Sequence, residues 1–282
     1  MSASKIGYLG TPGTYSEAAA MKMHSGEFTG FRTIPDLFNA VIAGTVDISV
    51  VPIENSVEGS VGITSDLLFR NDVYITGETY LKISHCLISS DEMTTDRVKI
   101  ILSHPQALGQ CARFISKGSY EVIPFPDTVT AVVGVRDRIY PNAAAIASER
   151  AAQIHGMKIL ERNIGDFDEN YTRFVSLSSK EDTSGKVQGS KTSIVVSVDN
   201  KPGSLLKALE VFYRYGINIS KIESRPVRFT PCNLLSYLCK LLAITYHWSS
   251  IQIDHHLIRK KSEISLHVNL GLVGWIFSQQ FV

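Results

Sequence analysis

Lys5-Ile6-Gly7-Tyr8-Leu9-Gly10-Thr11-Pro12-Gly13-Thr14-Tyr15-Ser16-Glu17 reads as a strand that runs straight into a turn and then into a helix. Residues 5–10 form the short apolar strand, Thr11-Pro12-Gly13 carries turn chemistry, and Thr14 and Glu17 stand at capping-box spacing. Working outward, residues 46–52 are a β-branched run with the character of a buried parallel strand. That run is expected to stop at a polar loop, Pro52-Ile53-Glu54-Asn55-Ser56, ending near Gly59. Residues 73–76 and 81–88 read as further strands, and 98–102 as another, ended by Ser103-His104-Pro105-Gln106. There Ser103 is expected to cap a helix over 106–116, with Pro105 in its first turn and Gln106 completing a second capping box. Residues 143–155 are alanine-rich and read as a helix, and 173–177 as a strand. Strands alternating with helices indicate an α/β fold with mostly parallel sheets. Ligands in such folds sit beyond the carboxyl ends of the strands. The loops 10–17, 52–60 and 103–106 are therefore expected to meet at one cleft.

The chain has 282 residues, a length that fits about two domains. With 44% hydrophobic and 20% charged residues it is neither a disordered, a collagen-like nor a disulfide-scaffold sequence. A formal net charge of +1 argues against a nucleic-acid partner held by a dense basic face. The charge is uneven: residues 1–227 carry 23 basic and 25 acidic side chains, a net of −2, whereas 228–282 carry 5 and 2, a net of +3. Cys86, Cys111, Cys232 and Cys239 show no CxxC spacing and are expected to be buried, reduced thiols. The first residues hold no apolar or Arg-rich leader, and the longest apolar stretch, 234–248, is interrupted by Lys240 and shorter than the ~20 residues of a spanning helix. A cytoplasmic protein without a membrane partner is expected. Residues 178–190 contain one apolar side chain, which is linker composition. Beyond them a strand (192–198), the turn Lys201-Pro202-Gly203-Ser204, a helix (205–215) ended by Gly216 and a strand (217–222) begin a small second module.

At these residues the chain resembles a known family. Asn170-Tyr171-Thr172-Arg173-Phe174 resembles the Asn-x-Thr-Arg-Phe motif of the prephenate dehydratases, and Pro52-Ile53-Glu54-Asn55-Ser56 and Ser103-His104-Pro105-Gln106-Ala107-Leu108 fit the same family. Ile219-Ser220-Lys221-Ile222-Glu223-Ser224-Arg225-Pro226 is similar to the Glu-Ser-Arg-Pro signature of the regulatory ACT domain, and Lys201-Pro202-Gly203-Ser204-Leu205 to that domain's Gly-Ala-Leu turn. The resemblance runs from about residue 5 to 227. It implies a two-lobed catalytic domain over 1–177, similar to type II periplasmic binding proteins, a linker at 178–190, and a βαββαβ ACT domain over 191–282 that is atypical after about 227.

The implied reaction removes carboxylate and hydroxyl together from prephenate, giving phenylpyruvate, carbon dioxide and water. Aromatisation drives it, so it needs no cofactor and no metal. What it needs is neutral donors for two carboxylates and a hydroxyl that helps the ring hydroxyl leave. By resemblance Thr172 is the catalytic donor, and Ser16, Asn55, Ser56, Ser103, Gln106, Asn170, Arg173 and Phe174 bind substrate. Alternation in a strand puts Thr172 and Phe174 on one side and Arg173 on the other, so Arg173 either holds the framework or reaches a substrate carboxylate from an irregular backbone. Phe174 reads as wall or core rather than as a residue of the chemistry. Gly203, Ser204, Leu205, Asn218, Glu223, Ser224 and Arg225 would form a phenylalanine site at a subunit interface, in a homodimer or homotetramer. Two other readings stand beside this one: the same elimination on arogenate, and a catalytically silent amino-acid sensor. Residues 228–282 match nothing in the family, as if they replaced the second half of the regulatory fold.

Overall fold

A computed structural model describes residues 3–180, 191–198, 201–226, 240–247 and 280–281. The chain divides into two units, one of residues 1–73 with 77–179, the other of 180–282 with 74–76. The first unit is built as two lobes.

Lobe one holds a sheet of β1 (Lys5–Leu9), β2 (Glu27–Phe31), β3 (Ile48–Asn55), β4 (Gly59–Ser60), β5 (Tyr74–Lys82) and, returning from the second lobe, β11 (Tyr171–Ser178). Its order is β2-β1-β3-β11-β5, with β4 paired to β3. α1 (Tyr15–Met23), α2 (Ile34–Ile42) and α3 (Gly62–Arg70) connect these strands. The opening strand–turn–helix is present as read. Thr14 caps α1 by accepting the Glu17 N–H, but the Glu17 carboxylate does not return to Thr14; it accepts from Gly13 N at 2.9 Å and from Arg150. β3 continues through Pro52 to Asn55 where a loop was expected, because β11 pairs along it and a bulge at Ile53 absorbs the irregularity.

Lobe two carries β6 (Cys86–Ser89), β7 (Ile100–Ser103), β8 (Glu121–Pro124), β9 (Ala143–Ala147) and β10 (Lys158–Glu161), in the order β10-β6-β9-β7-β8. Its helices are α4 (Pro105–Gln110), α5 (Ala112–Ile115), α6 (Thr128–Arg136) and α7 (Glu149–His155). The sheets are mixed, not mostly parallel: β6 runs antiparallel to both β9 and β10, and β11 antiparallel to β3. The alanine-rich segment is the clearest correction. Ala143–Ala147 is the central strand, buried at every residue, and only Glu149–His155 is helical, capped by Ser148. A strand covered on both faces needs small apolar side chains throughout, and such a run has no period by which to tell it from a helix. The helix expected over 106–116 is broken at Cys111 into α4 and α5.

The lobe-one core gathers Ile6, Tyr8, Ala19, Ala20, Val50 and Phe174. Lobe two packs Ile88, Leu102, Val132 and Ala145 on one face of its sheet and Leu87, Ile101, Ala144 and Ile146 on the other. Cys86 and Cys111 are free and buried, and burial pushes the Cys111 thiol up to about 12. Cys232 and Cys239 lie outside the described residues.

In the second unit β12 (Lys191–Val198), β13 (Ile219–Pro226), β14 (Lys240–His247) and β15 (Gln280–Phe281) form a sheet ordered β13-β14-β12-β15, and α8 (Ser204–Arg214) joins β12 to β13. β14 runs antiparallel between β12 and β13. A strand from the unmatched segment thus takes the position that a split βαβ sheet requires; residues 227–239 and 248–279, and the linker at 181–190, lie outside the described residues. Truncating Phe174, 2% exposed in the lobe-one core, should cost roughly 3–5 kcal/mol. Urea unfolding of Phe174→Ala checks this, and a loss under about 1 kcal/mol would contradict the packing.

Candidate functional site

The chain crosses between lobes twice, at 83–85 and at 162–170, and the two crossings are tied together. Ile83 N donates to Asn170 O at 2.8 Å, Ile164 N to His85 O at 3.0 Å, and the Ser84 hydroxyl to Asn163 Oδ1 at 2.6 Å. Tyr15 at the start of α1 donates its phenol to Ser84 O and accepts from Ser84 N at 3.1 Å. Burial drives that phenol's pKa well above its ordinary value, so it stays neutral. The α1 loop also docks on lobe two: Ser148 Oγ donates to Gly13 O at 2.8 Å, and Arg150 pairs with Glu17 at 2.8 Å. Gly13 has φ +100, and a Cβ there would meet Ala151 Cα at 3.2 Å, so the contact requires glycine.

Beside these crossings lies a cavity of about 210 Å³, smaller than the roughly 300–1,000 Å³ usual for ligand clefts. Tyr15, Asn55, Ile83, His85 and Thr172 line it from lobe one and the crossing, and His104, Gln106, Ala107, Gln110, Asp127 and Thr128 from lobe two. Each of the three loops expected to converge contributes a residue.

One side chain organises the lobe-one wall. Asn55 Oδ1 accepts from Val57 N and Glu58 N, both at 2.9 Å, which fixes its amide. Its Nδ2 then donates to Asn170 Oδ1 at 2.7 Å, Thr172 Oγ1 at 2.9 Å and Tyr171 O at 3.2 Å. Because Thr172 accepts from Asn55, its own hydrogen is free to be donated. Asn170 passes a bond from Nδ2 to Gln110 Oε1 at 3.0 Å, and Gln110 Nε2 reaches Glu58 Oε1 at 3.1 Å, closing a polar network across both lobes. His85 joins it through Nε2, 2.9 Å from Gln110 Oε1. A carboxamide oxygen only accepts, so Nε2 carries the proton. Nδ1 is buried without a hydrogen-bond partner among the described residues, and burial lowers the His85 pKa.

Several expected site residues lie elsewhere. Arg173 is buried on the opposite face of β11, where its guanidinium pairs with Glu78 at 2.6 Å and lies 3.9 Å from Glu54; it does not line the cavity. Phe174 is core. Ser103 is fully buried and donates to Ile146 O at 2.6 Å; the α4 cap is His104 Nδ1, accepting Gln106 N at 3.2 Å. Ser56 bonds the backbone of Glu169 and Tyr171, and Ser16 is buried in α1; neither lines the cavity. Tyr15, Ile83, His85, Gln110, Asp127 and Thr128 were not expected. Gln110 stands one turn after Gln106 and Asp127 opens a capping box, which are usable signals; Ile83 and His85 had none. In the second unit Gly203 (φ 83) caps α8 ahead of Ser204 and an exposed Leu205, Asn218 is exposed, Glu223 lies 3.6 Å from Lys221, and Ser224 and Arg225 sit on β13 opposite Leu242 and Leu241.

The chain matches the prephenate dehydratase family over residues 6–182 and the ACT domain over 192–229. It belongs to the prephenate dehydratase family. Arogenate dehydratase/prephenate dehydratase 1, chloroplastic, of Arabidopsis thaliana is 41% identical over 236 residues, 82% of this chain and 59% of that one. The bifunctional chorismate mutase/prephenate dehydratase of Aquifex aeolicus is also 41% identical, over 79% of this chain and 61% of its own. The chain thus spans about three-fifths of the length of these curated relatives. Among solved structures, the prephenate dehydratase of Arthrobacter aurescens in complex with L-Phe superposes with a TM-score of 0.77 at 27% identity, covering 86% of this chain and 80% of that one. A protein described as a novel type of quorum-quenching acylase gives 0.75 at 27%, covering 86% and 87%. Among the described residues no helix is long and apolar enough to cross a membrane.

This geometry has two measurable consequences. Glu78→Ala leaves the buried Arg173 guanidinium with only the more distant Glu54 and should cost about 3 kcal/mol in urea unfolding. His85 has a folded pKa below its ordinary 6.5, by burial, so the unfolded chain takes up a proton first as pH falls. Its contribution is complete above 6.5 and is lost on acidification below that value; His24 and His155 shift the same way for the same reason. In His85→Asn the loss of stability on acidification from pH 6.5 to about 5 should be smaller than in the wild type; an equal slope would show that His85 does not titrate with unfolding.

Proposed function

We propose that the cavity catalyses the decarboxylating dehydration of prephenate to phenylpyruvate, carbon dioxide and water, or the same elimination on arogenate to give phenylalanine. The single observation that carries this reading is the Asn55–Thr172 bond, which leaves a hydroxyl hydrogen directed away from its neighbour in a hydrogen-bonded site. The carbon–carbon bond to the ring carboxylate breaks, its electron pair enters the ring, and the hydroxyl on the far ring carbon departs with a proton. Thr172 donates a hydrogen bond to that leaving oxygen, and one proton is taken up from solvent per turnover. The Gln106 amide and the Thr128 hydroxyl on the cavity wall offer uncharged donors for the substrate's carboxylates. Acyl transfer fits less well. It needs a nucleophile beside a base, and Thr172 Oγ1 is bonded to an amide.

The second unit is proposed to bind phenylalanine as an effector near Gly203, Ser204, Leu205, Asn218, Glu223, Ser224 and Arg225, in a homodimer or homotetramer. This rests on the ACT match and on the L-Phe complex of the Arthrobacter relative.

Incubating the full chain separately with prephenate and arogenate, following phenylpyruvate and phenylalanine, tests the reaction. Product from neither, in a folded sample, favours the silent sensor. Thr172→Ala should lower kcat by roughly 10²–10⁴-fold. Asn55→Asp keeps both acceptors for Val57 and Glu58 but converts the donor facing Thr172 into an acceptor. The hydroxyl then turns toward the introduced carboxylate, and kcat should fall by a similar factor; the melting temperature should fall too, because Asn170 Oδ1 and Tyr171 O lose the same donor. Undiminished kcat in either variant would remove the hydroxyl from the mechanism.

A further inference from the structure

Prephenate and arogenate share the reacting ring and both carboxylates, and differ at one side-chain carbon, a ketone in the first and an ammonium in the second. The cavity's charges bear directly on that difference. Among its lining residues there is no lysine or arginine, and one carboxylate, Asp127. The arginines on the framing elements are committed elsewhere, Arg173 to Glu78 and Arg150 to Glu17. A site selecting the more anionic keto acid would gain from a cation, and this one instead presents an anion.

Asp127 is also placed to act. It precedes α6 in lobe two and caps it with one oxygen: Oδ1 accepts from Val129 N and Thr130 N, both at 2.8 Å. Both cap bonds fall on Oδ1, and no hydrogen bond to Oδ2 is found among the described residues. Thr172 and Asn55 belong to lobe one, whereas Asp127 and Thr128 belong to lobe two. The substrate has the same polarity, since the departing hydroxyl and the side-chain carbon sit at opposite ends of the ring. With the hydroxyl at Thr172, the side chain extends toward lobe two.

We propose that Asp127 receives the α-ammonium of an amino-acid substrate, so that the cleft selects arogenate over prephenate. This assignment rests on the elimination proposed above and names its substrate. A ketone oxygen at the same place faces a carboxylate with no proton between them, and is disfavoured.

The substitution Asp127→Asn isolates the charge, because asparagine caps a helix as well as aspartate does. The experiment measures kcat/KM for arogenate and for prephenate in the wild type and in Asp127→Asn, both as full chains, with melting temperature as the control for folding. The wild type should prefer arogenate. In Asp127→Asn the arogenate-to-prephenate ratio should fall roughly 10- to 100-fold, the range for losing a hydrogen bond to a charged group. An unchanged ratio, or a wild type that turns over prephenate as well as or better than arogenate, would overturn the assignment and leave the elimination intact. Turnover of neither substrate by folded wild type would overturn the elimination itself, and the assignment with it.

Discussion

The side-chain amide of Asn55 is the constraint on which the site depends. Two backbone N–H groups of its own turn hold its oxygen, so its nitrogen can only point at β11, where it meets Asn170, Tyr171 and Thr172. That one orientation sets the direction of the Thr172 hydroxyl and starts the chain of amides that ends on Glu58. Each amide in this chain uses both its donor and its acceptor. A half-satisfied network in a buried place costs more than an apolar one, and a full one fixes a single arrangement.

The same economy governs the charges. Arg173 directly follows Thr172 in the chain, yet strand alternation sends it to the other face of the sheet, where Glu78 and Glu54 neutralise it. Glu17 is drawn out of its expected cap by Arg150 of lobe two, and with Ser148 and Gly13 it holds the two lobes at their contact. The cleft is left with amides, hydroxyls, two imidazoles and one carboxylate. In such surroundings the charge that a ligand brings is decided by few groups, which is why Asp127 carries weight.

The alternation of strands and helices, the turn at Thr11-Pro12-Gly13 and the convergence of three polar loops were all legible in the chain, because turn residues and apolar periods are local properties. The motif 170–174 could be read as a site for the same reason. What misled was also local: Ala143–Ala147 has no period because it is buried on both faces, and Ser103 carries a capping residue's chemistry at a place where the sheet had already consumed its hydroxyl. His85 and Ile83 gave no sign, since a crossing between lobes is defined by the strands at its two ends and not by its own residues. Glu78, 95 positions from Arg173, could be matched to it only once β5 and β11 lay in one sheet.

By itself the sequence determined the α/β class, the family and the identity of the residue proposed to face the leaving group, because each is written in contiguous residues. Only the tertiary structure decided that Thr172 accepts from Asn55 and therefore has a hydrogen to give, that Arg173 is spent on an ion pair, and that Asp127 lines the cleft. The physical reason is that hydrogen-bond direction and charge pairing depend on side chains 95 and 117 residues apart, and no local pattern carries that information.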